Sequence, residues 1–313
     1  MPPRSKAAFL LRRLRDPTLN PRSVRNVIQP SSRSFSVTTT SAFASSSPSS
    51  STSGPIDSTY TSVSPDEVSH FNALASSWWD PQGPSRILHL MNPLRHDFIS
   101  RCRYSVFEEP PSSSAGLKYL DIGCGGGIFA ESAARLPTTA SVTAVDPSSE
   151  VLSVAKAHAK RDPALWSKLS YLNTAIENLP VPNTPQDGYD VVSIFEVVEH
   201  VSNPAEFLDR CTPFVKPGGW LVLSTIARTW MSWLTTNVIA EDLLRIVPRG
   251  THDWRKYINE EEMRSHFLHK STGWDEPRCM GVVYVPGLGW KEVNGSEKVG
   301  NYFFGVRRIA EST

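Results

Sequence analysis

The sequence predicts an α/β domain built on a mostly parallel sheet with helices on both faces: five parallel strands and an antiparallel C-terminal pair. Three observations predict it. Strand-like runs alternate with helical patterns between residues 118 and 225. A glycine-rich loop separates the first of those strands from the first helix. Two last strand-like runs, Cys279–Val285 and Tyr302–Arg308, have no helix between them.

The chain has 313 residues and a formal charge of +1, but the charge is unevenly placed. Residues 1–33 hold eight Lys/Arg against one acid, Asp16. This Arg-rich, acid-poor stretch reads as a mitochondrial transit peptide, with processing expected near Ser34–Phe35. Residues 34–64 read as a disordered linker: 21 of the 34 residues from Ser31 to Ser64 are Ser or Thr, too polar to offset the entropy of ordering. The folded domain is therefore placed at 65–313. Beyond Pro65 the chain carries 24 bases and 29 acids, a balance of −5, which excludes broad electrostatic attraction to nucleic acid. No apolar run is long enough to span a bilayer. Four scattered cysteines (Cys102, Cys124, Cys211, Cys279) fit a reducing compartment better than a disulfide framework.

Ser64-Pro65-Asp66-Glu67 is a helix start, with Ser as cap, Pro in the first turn and acids at the positive dipole end. Phe71, Leu74, Ala75 and Trp78 continue it at helical spacing until Asp80-Pro81-Gln82-Gly83-Pro84 breaks the pattern. A second helix is expected from Asn92-Pro93, completing an entry segment over 65–116. Strands are expected at Lys118–Ile122, Ser141–Asp146, Lys168–Leu172, Tyr189–Phe195 and Trp220–Thr225. Helices are expected at Ile128–Leu136, Glu150–Arg161 and Pro204–Phe214, with Pro217-Gly218-Gly219 as a turn before the fifth strand.

The loop Gly123-Cys124-Gly125-Gly126-Gly127 lets backbone approach a ligand and aims amides at it. Ile128 stands where a dinucleotide fingerprint needs a small residue, and no Lys-Ser/Thr follows to grip phosphate. Asp146, ending the second strand, is placed to accept two ribose hydroxyls. These features together resemble the class I S-adenosylmethionine (SAM)-dependent methyltransferases, which implies a Rossmann-like seven-stranded sheet.

At the carboxyl end of strand four, Glu196, Glu199 and His200 are spaced i, i+3, i+4, so a helical turn would gather them on one side. Two carboxylates and an imidazole could hold a divalent ion with open positions for substrate oxygens. Alternatively, His200 acts alone as general base beside solvated glutamates. A longer connection, 226–253, carries Trp230, Trp233, Leu234, Leu243, Leu244 and Val247 among Arg228, Arg245 and Arg249. It suits an interfacial helix, a lid over the site, or both.

The motifs Phe71–Asp80 (with Trp78-Trp79-Asp80), Leu88-His89, Asn92-Pro93-Leu94-Arg95, Asp121–Gly127 and Glu196–Val201 closely resemble those of the ubiquinone-biosynthesis O-methyltransferases over roughly 64–308. The resemblance implies methyl transfer from SAM to polyprenylated catechols, namely 3,4-dihydroxy-5-polyprenylbenzoate and demethylubiquinol. It implies cofactor contacts at Arg95 (methionine carboxylate), Gly123 (cofactor backbone), Asp146 (ribose) and Phe195 (adenine side). It implies Mg²⁺ at Glu196, Glu199 and His200, the turn that then carries catalysis. It further implies a peripheral position on the matrix side of the mitochondrial inner membrane, among other coenzyme Q biosynthesis proteins in a multi-subunit complex. One departure is Ala175-Ile176, where many methyltransferases place an acid on the adenine amine. The competing readings are a methyltransferase for another small molecule and a non-catalytic SAM-binding scaffold.

Overall fold

The computed structural model describes residues 60–105, 116–229 and 257–309. The expected transit peptide, most of the expected linker, the Pro/Ser-rich stretch 107–115 and positions 230–253 of the long connection lie outside the described residues.

Eight strands form one sheet in the order β3-β2-β1-β4-β5-β8-β6-β7. The parallel part is β1 (Leu117–Ile122), β2 (Thr139–Asp146), β3 (Leu169–Asn173), β4 (Tyr189–Phe195) and β5 (Val215–Ile226). The antiparallel part is β6 (Arg278–Val285), β7 (Gly289–Glu292) and β8 (Asn301–Arg307). The predicted fold class holds, with one strand more than expected. That strand, β7, is four residues closed by Pro286-Gly287-Leu288, too short to leave an alternating pattern.

Side chains of the central strands alternate between two cores, as a sheet buried on both faces requires. Tyr119, Val191, Val222 and Phe303 join the core under α2 (Arg86–Tyr104) and α3 (Ile128–Arg135). Leu120, Val192, Leu223 and Phe304 join the opposite core with α5 (Pro204–Cys211) and α6 (Glu260–Ser265). Between β2 and β3 runs α4 (Ser149–Ala159), whose Val151 joins a third cluster with Ala75, Trp78 and Ile128. That cluster fastens the entry segment, including α1 (Pro65–Leu74), to the helix behind the glycine loop.

Two local expectations change. The second helix begins at Arg86 rather than Asn92, and Pro93 lies inside it. Proline removes one ladder hydrogen bond there, yet burial of Met91, Arg95, Phe98, Ile99 and Cys102 carries the helix through. Pro217-Gly218-Gly219 is absorbed into β5, where the pairing with β4 shifts register between Tyr189 and Val191.

Candidate functional site

A cleft opens at the carboxyl ends of β1, β2 and β4, the place where open α/β sheets take ligands. Arg95, Gly123, Asp146, Phe195, Glu196, Glu199 and His200 all line it. Every residue expected in a site from sequence is thus brought to one cavity.

The glycine loop works through what it lacks. Gly123, Gly125 and Gly127 have φ of 67°, 52° and 86°, a backbone region that side chains rarely enter. Its amides are mostly not aimed at a ligand, contrary to expectation. Gly123 and Cys124 donate to the Val145 carbonyl, Gly125 to Asp146 Oδ2 at 2.9 Å, and Gly127 to the Cys124 carbonyl. Trp78 covers the loop: a Cβ on Gly126 would stand 2.2 Å from its Cδ1. Trp79 Nε1 donates to the Gly126 carbonyl at 2.8 Å.

Asp146 also accepts from the Ser148 amide at 2.9 Å, so one lone-pair site on each carboxylate oxygen is taken and others remain. Its burial raises its pKa, against those two amide bonds.

Arg95 is 4% exposed and has no ion pair among the described residues. Its Nε has no hydrogen-bond partner. Burial lowers its pKa, while the charges of Glu196 and Asp121 oppose that shift. The guanidinium lies over the Phe195 ring at 4.9 Å, so that ring backs the cation while packing edge-on to Phe129. A buried, unpaired guanidinium in a cleft is costly unless an anion comes to it.

Asp121 was legible only as part of the loop motif, yet it lines the same cleft at 3% exposure. Ser193 donates to its Oδ1 at 2.7 Å. Burial pushes its pKa up to about 7, although Ser193 and Arg95 pull it down. A buried acid at the end of a first strand is the signal that points to it.

The turn after β4 is not the helical turn expected. Glu196 has φ of +57°, and only Val198–His200 form a short 3₁₀ turn. A left-handed φ on a non-glycine residue is sparsely populated and concentrates at functional sites. Each of the three side chains has its own partner: Ser224 donates to Glu196 Oε1 at 2.5 Å, Thr225 to Glu199 Oε2 at 2.8 Å, and His200 Nδ1 lies 2.9 Å from Glu67 Oε2. Among the described residues no three His, Cys, Asp or Glu side chains stand together as metal ligands. The expected convergence of Glu196, Glu199 and His200 is therefore not formed in this arrangement, because the backbone turns away from helix at Glu196. Burial raises the pKa of Glu199, and the neighbouring charge of Glu196 adds to it. Burial alone would lower that of His200; hydrogen bonding to Glu67 and the charges of Glu199 and Glu196 outweigh it, and the net shift is upward.

Residues 62–64 also line the cleft. The Ser62 amide and hydroxyl both donate to the Glu177 carboxylate at 2.8 Å. Tyr60 lies under the Arg210 guanidinium at 4.5 Å. Glu177, next in sequence to Ala175-Ile176, is thus occupied in holding Ser62.

Comparison with known proteins agrees with this geometry. The family described as "Methyltransferase domain" matches residues 94–272. The chain is 42% identical over 287 residues to the mitochondrial ubiquinone biosynthesis O-methyltransferase of Candida albicans, covering 80% of this chain and 86% of that protein. It is 50% identical over 225 residues to the protein of that name from Schizosaccharomyces pombe, covering 72% and 77%. Among solved structures, a plantazolicin methyltransferase in complex with S-adenosylhomocysteine (SAH) and a substrate analogue superposes with a TM-score of 0.51 at 19% identity, over 78% of this chain and 97% of that one. At that identity the likeness speaks for the fold.

Proposed function

The chain belongs to the ubiquinone biosynthesis O-methyltransferases, and on that premise we propose that its cleft binds SAM and methylates polyprenylated catechols in the mitochondrion. One observation carries the reading: the buried, unpaired Arg95 shares a cleft with two acids, Asp121 and Asp146. The end of SAM is an amino acid, with a carboxylate for Arg95 and an ammonium for Asp121. Its ribose offers two hydroxyls to the free lone pairs of Asp146. The Gly123 carbonyl stands beside the ammonium, and Phe195 backs the guanidinium. That charge pattern disfavours an anionic nucleotide.

O-methylation from a sulfonium needs a nucleophilic, preferably ionised, oxygen. A free phenol has a pKa of about 10, so roughly a thousandth is ionised at neutral pH. His200 is the imidazole lining the cleft that can supply a base, and its hydrogen bond to Glu67 and the charges of Glu199 and Glu196 stabilise the imidazolium once formed. The acceptors that fit are 3,4-dihydroxy-5-polyprenylbenzoate and demethylubiquinol, each with an oxygen to deprotonate.

A finer part of the proposal is a divalent ion, Mg²⁺, at Glu196, Glu199 and His200. What supports it is the donor chemistry: two carboxylates and an imidazole within five residues line one cleft, and burial and the charge of Glu196 raise the pKa of Glu199, a repulsion that a cation relieves. When bound, such an ion lowers the catechol pKa and fixes the acceptor geometry. The test is methyl transfer to a short-chain polyprenyl catechol with and without exhaustive chelation. Turnover lost on chelation and restored by Mg²⁺ is the expected outcome. Full activity without metal removes the ion and leaves His200 as base.

The protein is further proposed to sit peripherally on the matrix side of the inner membrane, where its substrate is dissolved, beside other coenzyme Q biosynthesis proteins. Among the described residues no helix is long and apolar enough to cross a membrane. The interfacial character of residues 226–253 supports attachment from one side.

A further inference from the structure

We infer that Glu67, on α1, is the positioning residue for His200: it fixes which ring nitrogen faces the acceptor, so the reactive imidazole is complete only when the entry segment is seated. The inference rests on the reading of His200 given above and adds a residue that reading does not contain.

The geometry is specific. Glu67 Oε2 lies 2.9 Å from His200 Nδ1 across 133 residues of sequence. An ionised carboxylate can only accept, so Nδ1 carries the proton. The ring's hydrogen bond is made at Nδ1, and His200 lines the cleft, so Nε2 is left as the nitrogen able to take a proton or meet a cation. One helical turn further along α1, Phe71 packs edge-on against the same ring, with centroids 5.0 Å apart and planes at 83°. Residues i and i+4 share a helix face. From that face one side chain therefore fixes the tautomer and the other the ring plane. Both partners are well covered, with side chains 16% and 24% exposed for His200 and Glu67. A bond shielded in this way is less readily exchanged for water than one at the surface.

The purpose of such an arrangement is the same for either role of His200. A base must present an unprotonated nitrogen to the substrate. An imidazole that meets a cation does so with one nitrogen while the other donates to a carboxylate, and loss of that carboxylate costs about 10–100-fold in activity or affinity. Without Glu67 the proton is free to sit on Nε2, where it blocks both roles.

The same segment also reaches the cofactor side. Phe71 meets Trp78 at 6.2 Å, and Trp78 covers Gly125 and Gly126. Residues 62–64, just before α1, line the same cleft, and Ser62 is tied by Glu177. One short stretch therefore contributes to the cofactor cleft and to the orientation of the histidine together.

The test compares Glu67→Gln, Glu67→Ala, His200→Ala and the double variant Glu67→Ala/His200→Ala in the full chain. Expected for Glu67→Ala is a kcat about 10–100-fold lower with the KM for SAM within about threefold of wild type. The double variant should be no slower than His200→Ala alone, because the carboxylate acts only through the ring. In ¹⁵N-histidine spectra of folded wild type, His200 should be the Nδ1–H tautomer, and Glu67→Gln should redistribute it. Unchanged kcat in Glu67→Ala beside an inactive His200→Ala overturns the positioning role, as does a tautomer unaltered in Glu67→Gln. Full activity in His200→Ala instead removes the reading of His200 itself, and this inference with it.

Discussion

Asp121 lies 3% exposed in the cleft with its pKa pushed up to about 7, chiefly by burial. A carboxyl whose folded pKa exceeds its unfolded value binds its proton more tightly when folded. Its contribution to stability is therefore full below about pH 4 and is lost as pH rises towards 7. An incoming ammonium reverses the balance by favouring the charged form. Binding of SAH near pH 7 should then release about half a proton, read as the dependence of calorimetric enthalpy on buffer ionisation. Asp121→Asn should abolish that release and weaken binding. An identical proton count in the variant would show that Asp121 does not meet the ligand's amine. The sequence pointed to Gly123, Asp146, Glu196, Glu199 and His200 because each follows a strand end or sits in a spaced motif, and to Arg95 and Phe195 only through the family resemblance. It was silent on Asp121 as an electrostatic partner and on Glu67 as a neighbour of His200. Those roles depend on burial and on a contact spanning 133 residues, neither of which has a local pattern.

The entry segment and the glycine loop are coupled by contact. A Cβ on Gly126 would fall 2.2 Å from Trp78 Cδ1 and 2.3 Å from Cγ, both stiff ring atoms close to its own backbone. Gly126→Ala should therefore cost about 1–3 kcal/mol of stability by overpacking and weaken SAH binding by unseating the segment. Trp78→Ala alone should cost about 3–5 kcal/mol through the cavity it leaves. In the double variant Gly126→Ala/Trp78→Ala the alanine has room, so denaturant unfolding should show a loss well below the sum of the two. Additive losses would mean that the tryptophan does not seat on the loop. At this scale the sequence placed α1, the first four parallel strands and α3 to α5 closely, while β5 starts five residues earlier than expected. It misplaced the start of α2, where Pro93 suggested a first turn but tertiary burial decided otherwise. It also read Glu196–His200 as one helical turn, because spacing cannot reveal a left-handed φ at Glu196.

For the molecule as a whole, the acidic balance of −5 beyond residue 65 makes general charge attraction a poor route to an anionic bilayer. If the long connection provides attachment, it does so through the apolar face around Trp233 and Leu244. Flotation with anionic, cardiolipin-like vesicles should recover the wild type and lose the variant Trp233→Glu/Leu244→Glu, with SAH affinity retained in both. Equal flotation of the two would assign the connection to covering the site only. The sheet order carries a different consequence. β8 is the last strand in chain order, yet it lies between β5 and β6 and pairs with both. Of its seven residues, Tyr302, Phe303, Phe304 and Val306 are wholly buried, contributing to both cores. Without β8 the outer edge of β5 is open and the β6–β7 hairpin has no link to the parallel half, so closing the sheet is a late folding step of high contact order.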